Sequence, residues 1–197
     1  MRTRVLFLFI SLLILTGMII GCGSVPQQKV DEANAALEAA KTAEADRYVP
    51  DRYNAAKGAL DGAMAEVKKQ DSKLMFKNFD EAGKMLDNAI NLAKEAEQAA
   101  VARKQEVSQE LPLLMEQLKD AIKQVKTLMK RAPRSKESMM ALQSIKNDLD
   151  NLERIPDSAN AAMQSGDYMN AYNSVKGGID RANALINELN QAIQAGY

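Results

Sequence analysis

Histidine and tryptophan are absent from this sequence, and Cys22 is its only cysteine. Without histidine the chain lacks the common zinc sites, the serine or cysteine nucleophile activated by a histidine base, and the histidine pH switch. With a single cysteine it cannot form an internal disulfide. The fold must therefore be held together by packing, and we expect no metal, no cofactor and no enzymatic activity.

An excess of one charge is also lacking, because 26 basic residues stand against 26 acidic residues. Without Arg2 and Arg4, which lie in the leader described below, 26 − 2 = 24 basic residues remain and the net charge is near −2. Such a balance predicts no nucleic-acid partner and no polybasic patch for anionic lipid. The carboxylates are spread over what we interpret as solvated helix faces, so none is nominated as catalytic.

The one long apolar stretch stands at the start of the chain. Arg2 and Arg4 precede the apolar residues 5–20, which are followed by Gly21 and Cys22. A basic segment, an apolar segment and then a small residue is the order of an export signal. We therefore predict a signal peptide over residues 1–21 and a short tether over residues 22–29.

The end of this leader, Ile19-Ile20-Gly21-Cys22, resembles the lipobox of bacterial lipoproteins. The resemblance implies cleavage between Gly21 and Cys22, a diacylglyceryl group on the Cys22 thiol, and a fatty acid such as palmitate on the new amino group. In Gram-negative lipoproteins an Asp after the acylated cysteine favours the inner membrane, whereas here that residue is Gly23. The resemblance thus implies the outer membrane, facing the periplasm, if the source has two membranes.

Two other interpretations of the leader stay open. A transmembrane helix needs about 20 apolar residues, and residues 5–20 are fewer and are not followed by a basic stop-transfer cluster. An ordinary signal peptide usually ends in a small-x-small site, whereas Ile19 occupies the first of those positions. Lipidation is the prediction that both observations favour.

The remaining 197 − 21 = 176 residues show the apolar spacing of helices in nearly every segment after the tether. Apolar residues recur every three or four positions over residues 30–47, from Pro50 onward, and from Met75 or Phe76 to Lys130. Ser135 is a suitable cap for a further helix, and Gly166 is a suitable end. Pro112 predicts a kink inside the long helix, and at Pro156 either a kink or a new helix is predicted.

Two segments of the chain resemble each other. Residues 78–82 align with residues 167–171, and the register continues with Leu86 over Val175 and Ala93 over Ala182. A helix opening with proline, at Pro50 and at Pro133, precedes each segment. We predict an all-α fold: an elongated antiparallel bundle of coiled-coil hairpins, in which two diverged repeats, residues 30–106 and 107–197, share a long central helix.

The lipobox, the Ala/Glu/Lys-rich helix, the helix opened by Pro50 and the aromatic-x-x-Ala pattern at Phe79 together resemble a family of helical bacterial lipoproteins of unknown function. Members carry this helical domain alone or before an OmpA-like domain. Residues 166–171 also resemble the start of the second helix of a tetratricopeptide-type repeat, without its regular period or its Trp-Leu-Gly signature.

These patterns predict a membrane-anchored envelope lipoprotein that acts as a helical scaffold or adaptor for another envelope protein or a second copy of itself. A small-ligand or lipid carrier is the alternative. Its motivation is the 11 − 2 = 9 methionines outside the leader, since methionine forms adaptable apolar surfaces. Filling of a helical core explains the same methionines more simply.

Overall fold

A computed structural model describes residues 24–135 and 138–195 of the chain. These residues form helices and connecting turns without a β-strand, which confirms the all-α prediction. The helices are α1 Gln27–Thr42, α2 Ala45–Tyr48, α3 Pro50–Asp71, α4 Asp80–Arg131, α5 Ser138–Leu152, α6 Ile155–Gln164 and α7 Tyr168–Ala195. The predicted cleavage site lies outside the described residues, and α1 begins three residues before the predicted Val30.

The chain divides into two compact units, which we call the first unit (Met1–Gln98) and the second unit (Ala99–Tyr197). The boundary lies within α4, which supplies its N-terminal part to the first unit and its C-terminal part to the second. The predicted sharing of a long helix between two halves is therefore observed. The sequence had placed the change of repeat at residues 106 and 107.

The core of the first unit consists mainly of alanine. One continuous cluster joins α1, α3 and α4, with Leu60, Leu86 and Ile90 as its largest aliphatic members. The small residues that complete this core are Ala33, Ala36, Ala56, Ala63, Ala82, Ala89 and Ala93. Side chains this short can be buried only where helices approach closely, so the alanine seam sets the packing of this unit.

Two backbone features separate α1 from α3. Glu44 has a left-handed conformation with φ of 60°, which ends the helix that the sequence predicted to run to Arg47. Pro50 then occupies the first turn of α3, as predicted, where its missing N–H costs no helical hydrogen bond.

The helix predicted from Met75 or Phe76 begins instead at Asp80. Phe76 has φ of 58°, which is incompatible with a right-handed helix, and the side chain of Asn78 accepts the backbone N–H of Asp80 at 2.8 Å. The Asn78 side chain thus binds a backbone N–H that the first turn of α4 leaves without a helical partner. Downstream, α4 is continuous through Pro112, as favoured by the sequence.

In the second unit the larger side chains form the core. Leu111, Leu118, Leu185 and Leu189 are fully buried, together with Val125. Gly178 of α7 lies against Ile155 of α6 and Leu118 of α4, because a Cβ placed on it would come within 2.8 Å and 3.2 Å of their Cδ1 atoms. This glycine is what allows the three helices to meet.

The start of α5 corrects one prediction and confirms another. Pro133 does not open a helix. Instead Ser135 Oγ accepts the backbone N–H of Ser138 at 3.1 Å and caps α5, as predicted. In the second unit, proline occupies the first turn of α6, in which Pro156 follows Ile155. Of the two alternatives predicted at Pro156, a new helix rather than a kink is therefore correct.

Gly166 ends α6, as predicted, with φ of 82°. The N–H of Gly166 donates to the carbonyl of Met163, and the N–H of Asp167 donates to the carbonyl of Ala162. These are the paired hydrogen bonds of a Schellman motif.

Gly166→Ala should destabilise the second unit by about 1 kcal/mol, because a Cβ disfavours the left-handed conformation of this residue. In chemical denaturation, Gly177→Ala is the control. It lies in open space on α7 and should be neutral or stabilising. Equal stability of the two variants would contradict the claim that a Cβ is disfavoured at the positive φ of residue 166.

The aligned segments are buried alike. Ala82 and Ala171, Leu86 and Val175, and Ala93 and Ala182 are all buried at equivalent positions of α4 and α7. The aromatic residues differ, since Phe79 is buried and Tyr168 is half-buried. The core positions of α4 in the first repeat and of α7 in the second repeat therefore follow the same register.

Candidate functional site

The predicted lipid attachment site, Cys22, and the preceding Gly21 lie outside the described residues, so their modification stays a prediction. The part of the chain that is described begins at Ser24, and α1 follows directly at Gln27. Among the described residues, no group of three His, Cys, Asp or Glu side chains is placed to hold a metal ion. None of the helices in this part of the chain combines the length and apolar character needed to cross a membrane.

The most unusual surface of the first unit is the connection between α3 and α4. We call residues 72–79 the apolar loop. Three consecutive side chains in it, Leu74, Met75 and Phe76, are 100%, 71% and 91% exposed. Lys73 and Lys77 flank them directly. Isolated exposed apolar residues are common, but three in succession at the tip of a loop indicate a surface that is covered by something else.

Gln70 holds the two ends of the apolar loop together. It is only 8% exposed, and its Oε1 accepts from Lys73 Nζ at 2.7 Å and from the Asn78 backbone N–H at 3.4 Å. Its Nε2 donates to Glu66 Oε1 at 2.6 Å. Lys77 Nζ closes the base of the loop by pairing with Asp71 at 2.8 Å. The loop is thus fixed at its base, while its apolar tip makes no equivalent contact.

Hydrogen bonds from Lys69 and then Gln70 lower the pKa of Glu66. A lowered pKa in the folded state means that the carboxylate adds stability above its unfolded pKa and loses it as pH falls through the folded value. Gln70→Ala should therefore raise the pKa of Glu66 toward its ordinary value. Carboxyl NMR titration measures this, with Gln28→Ala on α1 as an exposed control. An unchanged pKa would show that Gln70 does not act on Glu66.

The apolar loop lies at the end of the first unit where α1 begins. Lys29, in the first turn of α1, pairs with Asp87 of α4 at 2.6 Å. A Cβ placed on Gly62 of α3 comes 3.5 Å from Cε of Met85, so the two helices flanking the loop pack side by side as a hairpin. The start of α1, the end of α3 and the start of α4 therefore share one end.

The second unit has a cavity of about 360 Å³ between α5, α6 and α7. Two of the residues that line this cavity, Arg181 and Asp148, form an ion pair with a distance of 2.5 Å. The hydrogen bond from Arg181 to Asp148 raises the pKa of the Arg181 guanidinium. The other lining residues are Asn151, Leu152, Ile155, Asn173, Ser174, Gly177 and Gly178. The ion pair stabilises the charged form of Arg181, which is the opposite of what a general acid or base near neutral pH requires.

A second groove, of about 260 Å³, lies beside α5. Its lining includes the apolar Met129, Met139 and Leu142 and the basic Arg134 and Lys146. A hydrogen bond from Lys146 to Asp150 raises the pKa of the lysine. Apolar side chains next to fixed positive charges suit an amphiphile with an anionic head group.

No protein-family profile, curated protein or solved structure matches this chain. The resemblance to helical bacterial lipoproteins and to tetratricopeptide-type repeats therefore stays a prediction from the residues that carry it. Any function must be argued from the chain's own leader and surfaces.

The sequence missed the apolar loop because Met75 and Phe76 fit the start of the helical pattern. A signal was present nevertheless: Leu74, Met75 and Phe76 are consecutive, and three consecutive side chains cannot all face one side of a helix. Met139, one of the nine methionines outside the leader, lines the groove beside α5, and its role in an adaptable binding surface stays a prediction.

Proposed function

We propose that this chain is a membrane-anchored lipoprotein of the cell envelope that serves as a helical scaffold or adaptor for protein partners. The observation that carries the proposal is the order of the leader: Arg2 and Arg4, the apolar residues 5–20, and then Gly21 and Cys22. The start of α1 at Gln27, 27 − 22 = 5 residues later, supports it, because a helical body follows the proposed anchor at once.

The anchor follows from lipid chemistry. Each methylene group buried in a bilayer contributes about 0.8 kcal/mol, and one acyl chain alone binds only marginally. The two or three chains of a mature lipoprotein together make release negligible. Gly23 after Cys22 favours the outer membrane, with the helical body in the periplasm, for a source that has two membranes.

The adaptor role rests on apolar surface that the units leave exposed. In the second unit, Leu113 of α4 and Met139 and Met140 of α5 are 65%, 64% and 84% exposed. The chain's catalytic repertoire is poor, since it lacks histidine and the pKa shifts of Arg181 and Lys146 arise from surface ion pairs. Binding through helix surfaces is the activity such a chain supports best.

In-cell photo-cross-linking tests the adaptor role. A photoreactive amino acid at Leu113 or Met140 of the full-length protein should give discrete higher-mass adducts with an envelope protein or a second copy. The matched control is the exposed Lys94 of α4, where we expect few adducts. A chain that remains monomeric and adduct-free at Leu113 and Met140 would count against an adaptor.

The second candidate function is a lipid or small-ligand carrier, favoured by the groove with Met139, Leu142, Arg134 and Lys146. Its volume of about 260 Å³ is below the range of roughly 300 to 1,000 Å³ that is typical of small-molecule sites, so the adaptor role is preferred. Solvent extraction of the purified protein followed by mass spectrometry tests the carrier. Stoichiometric lipid that is lost in Leu142→Asp would favour it, whereas none beyond the Cys22 modification would oppose it.

A further inference from the structure

We infer that the apolar loop, residues 72–79, is a second membrane contact, whose Leu74, Met75 and Phe76 side chains enter the outer part of the lipid bilayer beside the N-terminal anchor. The inference goes beyond the adaptor role and rests on the proposed anchor only for the position of the membrane. Its own basis is the exposure, position and charge of the loop.

The exposure of the loop requires a partner. Leu74 and Phe76 are 100% and 91% exposed, although both are large apolar side chains. The connection could have been made with polar residues, and the backbone at Phe76 even adopts a left-handed conformation, φ 58°, that non-glycine residues rarely take. A structure that presents three apolar side chains to water in a constrained turn is organised to bury them elsewhere.

The position of the loop identifies that partner as a bilayer. The apolar residues 5–20 of the leader and Cys22 stand immediately before α1, and the apolar loop shares the end of the first unit where α1 begins. The six residues 21–26 between the apolar stretch and α1 span at most about 20 Å when extended. The loop tip is therefore held near the membrane surface, whether the attachment is a lipid or the apolar stretch itself.

The flanking charges fit a lipid head-group layer. Lys73 and Lys77 stand on both sides of the apolar tip, and their ammonium groups lie at the base of the loop, 2.7 Å from Gln70 Oε1 and 2.8 Å from Asp71 Oδ1. With the tip in the acyl region, this base lies at the level of the lipid phosphates, where Lys73 can meet them. The acidic residues around the loop lie at its base, where Asp71 pairs with Lys77 and where Asp80 and Glu81 open α4, and none lies between Lys73 and Lys77. A protruding tip of three side chains can enter a fluid interface without a matching cavity, which a protein partner would have to supply.

The absence of tryptophan from the chain allows a direct test. Phe76→Trp places a single indole at the loop tip, and Thr42→Trp places one on an exposed position at the other end of α1. Thr42 is 42 − 27 = 15 residues from the start of α1, or about 22 Å along the helix. Each full-length variant is produced in cells, purified from membranes and reconstituted in vesicles of phosphatidylethanolamine and phosphatidylglycerol.

The indole of Phe76→Trp should emit at shorter wavelength, lose most of its fluorescence to lipids brominated on the acyl chains, and resist quenching by iodide. The indole of Thr42→Trp should emit at longer wavelength, keep its fluorescence in brominated lipids and be quenched by iodide. Circular dichroism should show equal helicity for the two variants. Iodide accessibility of Phe76→Trp equal to that of Thr42→Trp would overturn the proposal. Protection from iodide without quenching by brominated lipid would also overturn it, because the tip would then be covered by protein.

Intact mass of the same preparations separates this proposal from the anchor. A lipid-modified protein whose Phe76→Trp indole stays in water would refute the loop contact and leave the anchor standing. An unmodified protein whose Phe76→Trp indole is quenched by brominated lipid would refute the lipid anchor and leave the loop contact standing.

Discussion

Replacing Leu118 with alanine is expected to lower the free energy of unfolding of the second unit by about 3 to 5 kcal/mol. Leu118 is fully buried in α4 and lies against Gly178 of α7. The substitution removes three buried carbon atoms and leaves a cavity that the surrounding helices can fill only by moving. A loss of this size is a large fraction of the 5 to 15 kcal/mol that roughly bounds the stability of a domain.

Urea denaturation followed by circular dichroism measures the loss. The matched control is Leu113→Ala, the same substitution on the same helix at a side chain that is 65% exposed. Its effect should stay within about 0.5 kcal/mol, as is usual for surface positions. Similar losses in the two variants would mean that the register of α4 in the second unit is wrong.

The second large effect is expected at Gly178. Gly178→Leu should destabilise the second unit by about 3 kcal/mol, the upper part of the usual range for overpacking. Even a Cβ would come within 2.8 Å of Ile155 Cδ1 and 3.3 Å of Leu118 Cδ2, and a leucine places three further carbon atoms in the same space. The helices must then move apart or rotate.

Gly177→Leu is the matched control for this overpacking. Its Cβ would meet no atom within 4 Å, so this variant should be close to wild type in stability. Combining Gly178→Leu with Leu118→Ala gives a further test. The space vacated by Leu118 accepts part of the new side chain, so the double variant should be more stable than the sum of the two losses predicts. Strict additivity would show that Leu118 and Gly178 do not pack together.

The helices were predictable because their apolar residues follow a simple period. The three- and four-residue spacing of Leu86, Ala89 and Ala93 placed the core face of α4 correctly, and Pro50 and Gly166 marked helix ends through backbone chemistry alone. At Glu44 the same reasoning failed, because glutamate favours helix and nothing local indicates a left-handed residue.

The candidate sites were harder to predict than the fold. The lipid attachment predicted at Cys22 rests on the order of residues in the leader and stays a prediction, because Cys22 lies outside the described residues. The apolar loop could not be predicted, because spacing alone does not show which apolar residues the packed helices leave exposed. The spacing of Met75 and Phe76 fits the core face of a helix, yet both side chains are exposed. The groove beside α5 joins Met129 of α4 to Met139 and Leu142 of α5, so it exists only after the helices have packed.

The most direct test of a lipid anchor on Cys22 is the intact mass of the full-length protein expressed in its host, combined with membrane fractionation beside Cys22→Ala. The proposed function predicts a wild-type chain that starts at Cys22, carries the added mass of diacylglyceryl and fatty acyl groups, and stays with the membranes. Cys22→Ala should lack that mass and the cut after Gly21. A soluble wild-type protein without lipid on Cys22 would contradict the anchor and remove the basis for a role in the envelope.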